Sequence, residues 1–176
     1  DLPTNVYPLF AQALRKEEKK TAATHLNECS ALFSEFSKIA SKNPYSWFPS
    51  YRSAAEIAEE TPSNRMVGFP YTKYLNSVIR LNMASAFILM SQEKADELNV
   101  AENKRVYVHG CSILNDIWNV TERPDFHSSP AIKTCVNQSL DQAEISLSDI
   151  EHFDLYSCFP SAVQIAKKEL GIPEEK

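Results

Sequence analysis

A chain of 176 residues is long enough for one substantial hydrophobic core, or for one domain and part of another. Hydrophobic residues at 43% and charged residues at 23% place it among ordinary globular chains, and a net charge of −5 with pI near 5.4 argues against a nucleic-acid surface. Only three glycines are present, which excludes a glycine-rich phosphate loop: neither GxGxxG nor GxxxxGK[ST] occurs.

In chain order, the first 43 residues read as helical. Tyr7, Phe10, Ala13 and Leu14 make one short apolar face. Leu26, Cys29, Phe33, Phe36 and Ala40 recur at three- and four-residue steps and make a second. The mixed-charge run RKEEKK between them reads as a solvated helix end or loop. Asn43-Pro44 closes the second helix. The aperiodic stretch NPYSWFPSYRS is expected to be an ordered loop with its rings buried against the helices. Ser53 with Glu56 opens a short third helix that Thr61-Pro62 stops, and residues 62–76 form another loop.

From Val78 the character changes. MASAFILMS is a compact apolar run whose length and abrupt stop at Ser91 favour a strand. Ser91 caps the helix QEKADEL, with Asn99 as its C-cap. Arg105 to Cys111 alternates and is β-branched, so a second strand is expected there. Residues 131–143 read as a helix with Ile132, Val136, Leu140 and Ala143 on one face. The last unit runs from Ile145 to Pro173: a Ser146/Asp149 capping arrangement, a strand at Phe153–Tyr156, an abrupt turn, then a helix. Pro160 opens that helix and Gly171 closes it. Strand, helix, strand, helix implies a right-handed parallel crossover, with His109, Cys111, Tyr156 and Cys158 at one sheet edge.

Ligands of open α/β sheets bind beyond strand C-termini, so Tyr156, Ser157, Cys158 and Phe159 are the first candidates for chemistry. A thiol at a helix N-terminus can be an activated nucleophile, with His109 or His152 as a base. It can equally be a small buried residue at a tight junction, and that reading takes precedence. His25 and His127 read as exposed or lightly packed. Cys29, Cys111, Cys135 and Cys158 contain no CxxC pair and combine with the histidines in no ligand spacing, so no metal site is expected. With no secretory h-region, the thiols read as reduced and the protein as cytoplasmic. The longest apolar run, Met83–Met90, falls far short of a membrane span of about 20 residues, so no membrane partner is expected.

The order SQEKADEL, then a strand, then SSPAIKTCVNQSLDQAEISLSDIEHFDLYSCFPSAVQIAKKELGI resembles the thiolase superfamily, nearest its sterol-carrier-protein type. The resemblance implies a partial thiolase-like α/β fold. Residues 1–77 would correspond to the helical loop domain, 78–102 to the last strand and helix of the N-terminal half. Residues 103–176 would be the first βαβα part of the C-terminal half. Tyr156-Ser157-Cys158-Phe159 stands where the family has Asn-Glu-Ala-Phe or His-Asp-Cys-Phe. Tyr156 replaces a residue that shapes an oxyanion hole, Ser157 replaces an acidic one, and Phe159 corresponds to a position beside the pantetheine arm. The family's nucleophilic cysteine would precede Asp1, and its Gly-His-Pro and Cys-x-Gly motifs would follow Lys176. The implied activity is acyl-CoA acyltransfer by Claisen condensation or its reverse, with coenzyme A thioesters as substrates, no covalently bound cofactor, and a homo-oligomeric assembly. The alternative is a non-catalytic thiolase-like module that binds acyl-CoA or another protein. Arg52, Arg65, Lys73 and Arg80 are candidate partners for the coenzyme's phosphates.

Overall fold

The computed structural model describes residues 2–173. Six helices are present among them: α1 (Pro3–Glu17), α2 (Ala22–Ala40), α3 (Ala54–Ala58), α4 (Gln92–Glu97), α5 (Pro130–Ala143) and α6 (Pro160–Leu170). A two-stranded antiparallel ribbon, β1 (Met66–Gly68) and β2 (Tyr71–Thr72), follows α3.

Local chemistry sets the boundaries. Lys19 in the left-handed region (φ 55°) breaks the chain between α1 and α2, and the Thr21 hydroxyl accepts from Thr24 N at 3.1 Å to start α2. Ser53 and Glu56 form a complete capping box on α3, with Ser53 N donating to Glu56 Oε2 at 2.7 Å. The Ser91 hydroxyl accepts from Lys94 N, and Asn99 (φ 52°) closes α4. Gly171 (φ 66°) ends α6 as expected, with Ile172 N bonded back to Lys167 O at 3.1 Å. Ser146 and Asp149 do form a capping box, on a single 3-10 turn, Leu147–Asp149.

The core gathers Ala11, Cys29, Ile57, Tyr71, Leu75 and Phe159, with Tyr7, Leu26, Phe33, Tyr74 and Cys158 packed around it. It therefore joins the N-terminal helices and ribbon to the start of α6, and α5 packs on the outside of α6. Pro8 lies inside α1 and cannot donate to the Thr4 carbonyl. The ribbon comes in at that place: a Cβ on Gly68 would lie 2.7 Å from Thr4 O. Two buried polar residues hold α3: Thr72 of β2 donates its hydroxyl to Ile57 O at 2.7 Å, and Asn64 joins α3 to the turn after the ribbon. Asn64 Nδ2 donates to Glu56 O, Ile57 O and Glu59 O at 3.2, 3.0 and 2.8 Å, and its Oδ1 accepts from Tyr74 N at 2.9 Å.

Four expectations need correction. The buried stripe of α2 is His25, Cys29, Ser30 and Ser34, with Phe36 left 41% exposed; small side chains let α3 and α6 approach closely. His25, expected to be exposed or lightly packed, is thus wholly buried. The rings of Tyr45, Trp47, Phe48 and Tyr51 are exposed, because their loop is tied to α2 by polar bonds: Ser34 Oγ donates to Arg52 O and Arg52 N donates to Ser37 Oγ. Finally, residues 83–91, 105–111 and 153–156 form no ladder, so no parallel crossover is present among the described residues. A strand exists only through its neighbour, and these segments have none among the described residues. The segment before Cys111 instead lies on α5, where a Cβ on Gly110 would come within 2.1 Å of Ser139 O.

The exposed surface is 12,678 Å², against roughly 8,700 Å² for a folded monomer of this mass. The apolar residues of the unpaired segments carry part of the excess: Phe87, Ile88, Leu89, Val106 and Val108 are all strongly exposed. No helix among the described residues is long and apolar enough to cross a membrane.

Candidate functional site

The Tyr156–Phe159 turn is held from three sides. Ser77 N donates to Cys158 O at 3.1 Å, fastening the turn to the chain just beyond the ribbon. Tyr71 Oη accepts from Ser161 N at 3.2 Å in the first turn of α6. Phe159 stacks on Tyr7 with centroids 4.3 Å apart and leans on Tyr71 at 5.9 Å. The ring expected beside a pantetheine arm is thus 1% exposed and part of the core.

Its neighbours point the other way. Tyr156 is 73% exposed and Ser157 is also at the surface. Cys158 is half-buried, and its thiol acts electrostatically on the phenols of both Tyr7 and Tyr156. Burial first, then the thiol contact, pushes the Tyr7 phenol well above its ordinary range; the Tyr156 phenol is raised mainly by the thiol contact. Both phenols therefore stay protonated at neutral pH and can donate. No bond joins His109 or His152 to Cys158 among the described residues, and both imidazoles are exposed. A Cys–His dyad is not assembled here.

Tyr7 and Tyr156 also line a cleft of about 530 Å³, within the usual size range of small-molecule sites. Phe10, Ile117, Trp118, Ile132, Leu155 and Ile165 make its walls apolar. At one side lies a polar knot. Arg123 Nη2 donates to Asp116 Oδ2 and Ser128 O, both at 3.0 Å, and Ser129 Oγ donates to Asp116 Oδ2 at 2.7 Å. Burial would raise the Asp116 carboxyl, but Ser129 and Arg123 hold it below its ordinary range as a paired anion. Tyr7, Asp116 and Arg123 escaped the sequence reading. Tyr7 was seen only as part of an apolar helix face. Asp116 and Arg123 sit in aperiodic loop sequence, where only their opposite charges seven residues apart gave a signal.

Among the four candidate phosphate partners, Arg52 stacks its guanidinium 4.0 Å over the Tyr74 ring. Arg65 and Lys73 are exposed and placed side by side, with Lys73 N donating to Arg65 O at 2.9 Å. Arg80 is exposed further along the chain.

No protein-family model and no curated protein sequence matches the chain. A solved structure does: a monomeric SCP2-thiolase-like protein type 1 from Mycobacterium smegmatis, at 35% identity, with a TM-score of 0.86 over 99% of this chain. The chain is thiolase-like, of the SCP2-thiolase type. Its architecture is accordingly a partial thiolase-like α/β fold, spanning 39% of that relative's length. The relative is described as monomeric and lends no support to the expected homo-oligomer.

Proposed function

We propose that this thiolase-like segment forms one wall of an acyl-CoA site, in which Tyr156 meets the ligand. The observation that carries the reading is the apolar cleft of about 530 Å³ whose lining includes Tyr156 and Tyr7, the two phenols that flank Cys158. An apolar cleft suits an acyl chain, and phenol donors suit a thioester carbonyl. Arg65 and Lys73, adjacent and exposed, are the pair best suited to the coenzyme's phosphates. On this reading the full protein performs thiolase-type acyl transfer through an acyl-cysteine outside the segment, by condensation or by thiolytic cleavage.

The second reading is acyl-CoA binding without turnover. The chemistry of the turn favours it: Tyr156 and Ser157 supply no carboxylate, and no imidazole reaches Cys158 among the described residues. One experiment separates the two. The full-length protein is mixed with acetoacetyl-CoA and with a longer acyl-CoA, and both binding and free thiol are followed. Release of CoA thiol supports the acyltransferase. Saturable binding without release supports the binding module, and absence of binding overturns both.

A further inference from the structure

The turn between α1 and α2 brings together three acceptors that the acyl-CoA reading does not use. Glu18 ends α1, and His25 and Glu28 lie three residues apart on α2. A ring nitrogen of His25 and a carboxylate oxygen of each glutamate all lie within 4.8 Å of one another.

The hydrogen bonding of His25 leaves one nitrogen free. The Cys29 thiol donates to Gln164 Oε1 at 3.7 Å. The sulfur must then accept from His25 Nε2, which faces it at 3.6 Å, so the ring proton sits on Nε2. Nδ1 is left with a bare lone pair. The ring is 0% exposed, and no donor faces Nδ1 among the described residues. A buried acceptor without a donor costs about 1–3 kcal/mol, and two carboxylates lie beside this imidazole.

A cation resolves this arrangement. At present the Lys20 ammonium occupies the place, 3.0 Å from Glu18 Oε2 and 2.5 Å from Glu28 Oε2, yet it gives nothing to Nδ1. The glutamates remain partly open to solvent, so an ion can enter. We propose that Glu18, His25 and Glu28 form a binding site for a divalent transition-metal ion, with Lys20 as a tethered competitor that holds the site when no metal is present. One imidazole and two carboxylates suit Zn²⁺, Mn²⁺ or Co²⁺ and leave coordination positions for water. Ligands at about 2.1 Å from a metal are at most about 4.2 Å apart, so the glutamates close by several tenths of an ångström as Lys20 swings out. His25 already has its outer partner in Cys29, the arrangement that fixes a ligand imidazole's tautomer.

The test is titration of the full-length protein with Zn²⁺ and Co²⁺ by calorimetry and absorption spectroscopy. One ion per chain is expected, without a thiolate-to-cobalt charge-transfer band. Glu28→Gln is expected to weaken binding at least about tenfold, and Lys20→Met to tighten it by a similar factor. Both positions lie at the surface, so neither variant endangers the fold. The proposal is overturned if neither the native protein nor Lys20→Met binds one ion. It is overturned equally if Glu18→Gln/Glu28→Gln leaves the affinity unchanged, or if a thiolate band shows that a cysteine holds the metal.

Discussion

Phe159 and Tyr156 stand three residues apart in one motif and serve opposite ends. The first ring is sealed between Tyr7 and Tyr71; the second is open to the cleft. Phe159→Ala should cost about 3–5 kcal/mol of stability, as removal of a large buried ring does, read as a lower denaturation midpoint. Tyr156→Phe deletes one exposed hydroxyl and should leave that midpoint within about 0.5 kcal/mol while weakening acyl-CoA binding. If Tyr156→Phe binds acyl-CoA as well as the native protein, the phenol is no part of the site. The motif itself was legible in sequence, through Pro160, Gly171 and the Tyr-Ser-Cys-Phe run. Which of its side chains face inward was not, because that depends on Tyr7 and Tyr71, 152 and 88 residues away from Phe159 in the sequence.

Among elements, the short ones rest on side-chain chemistry. The helix α3 is only five residues long, far below the length at which a helix persists alone, and Asn64 holds it against the turn that follows the ribbon. Asn64→Ala removes four hydrogen bonds, although Ile57 O keeps its bond from Thr72 Oγ1, so a loss of roughly 2–4 kcal/mol is expected. Circular dichroism during urea unfolding would show it as an earlier transition, whereas Ser53→Ala at the cap should cost only about 1 kcal/mol. Helix starts and stops were readable because caps are local: Ser53, Ser91, Asn99 and Gly171 all act as their residue types suggest. Asn64 gave no such signal, since its partners come from both sides of a loop. The strands were misjudged for the same reason in reverse. Alternation in residues 105–111 reports what the side chains prefer, and a ladder needs a second backbone.

At the scale of the whole molecule, order is uneven. The core residues Ala11, Cys29, Ile57, Tyr71 and Phe159 form one cluster, while residues 81–90 have neither helix nor ladder. Hydrogen exchange on the 176-residue chain should therefore find slow amides in α1, α2 and α6 and near-free exchange across 81–90. Strong protection at 81–90 would mean that the run is paired. The excess surface of about 4,000 Å² exceeds a standard protein–protein interface of about 1,600 Å². In the same chain a hydrophobic dye should consequently bind strongly.

The position of Phe159 also bears on how such a protein can be taken apart. Residues 1–77 read in sequence as a region of their own, yet the ring packed among them, Phe159, stands at the start of α6 some eighty residues further on. A graft of residues 1–77 alone would arrive with Tyr7 and Tyr71 facing a hole the size of a phenylalanine. A graft of the motif alone would bring Phe159 with nothing to enclose it. The two pack as one unit, and a working chimera has to exchange both together.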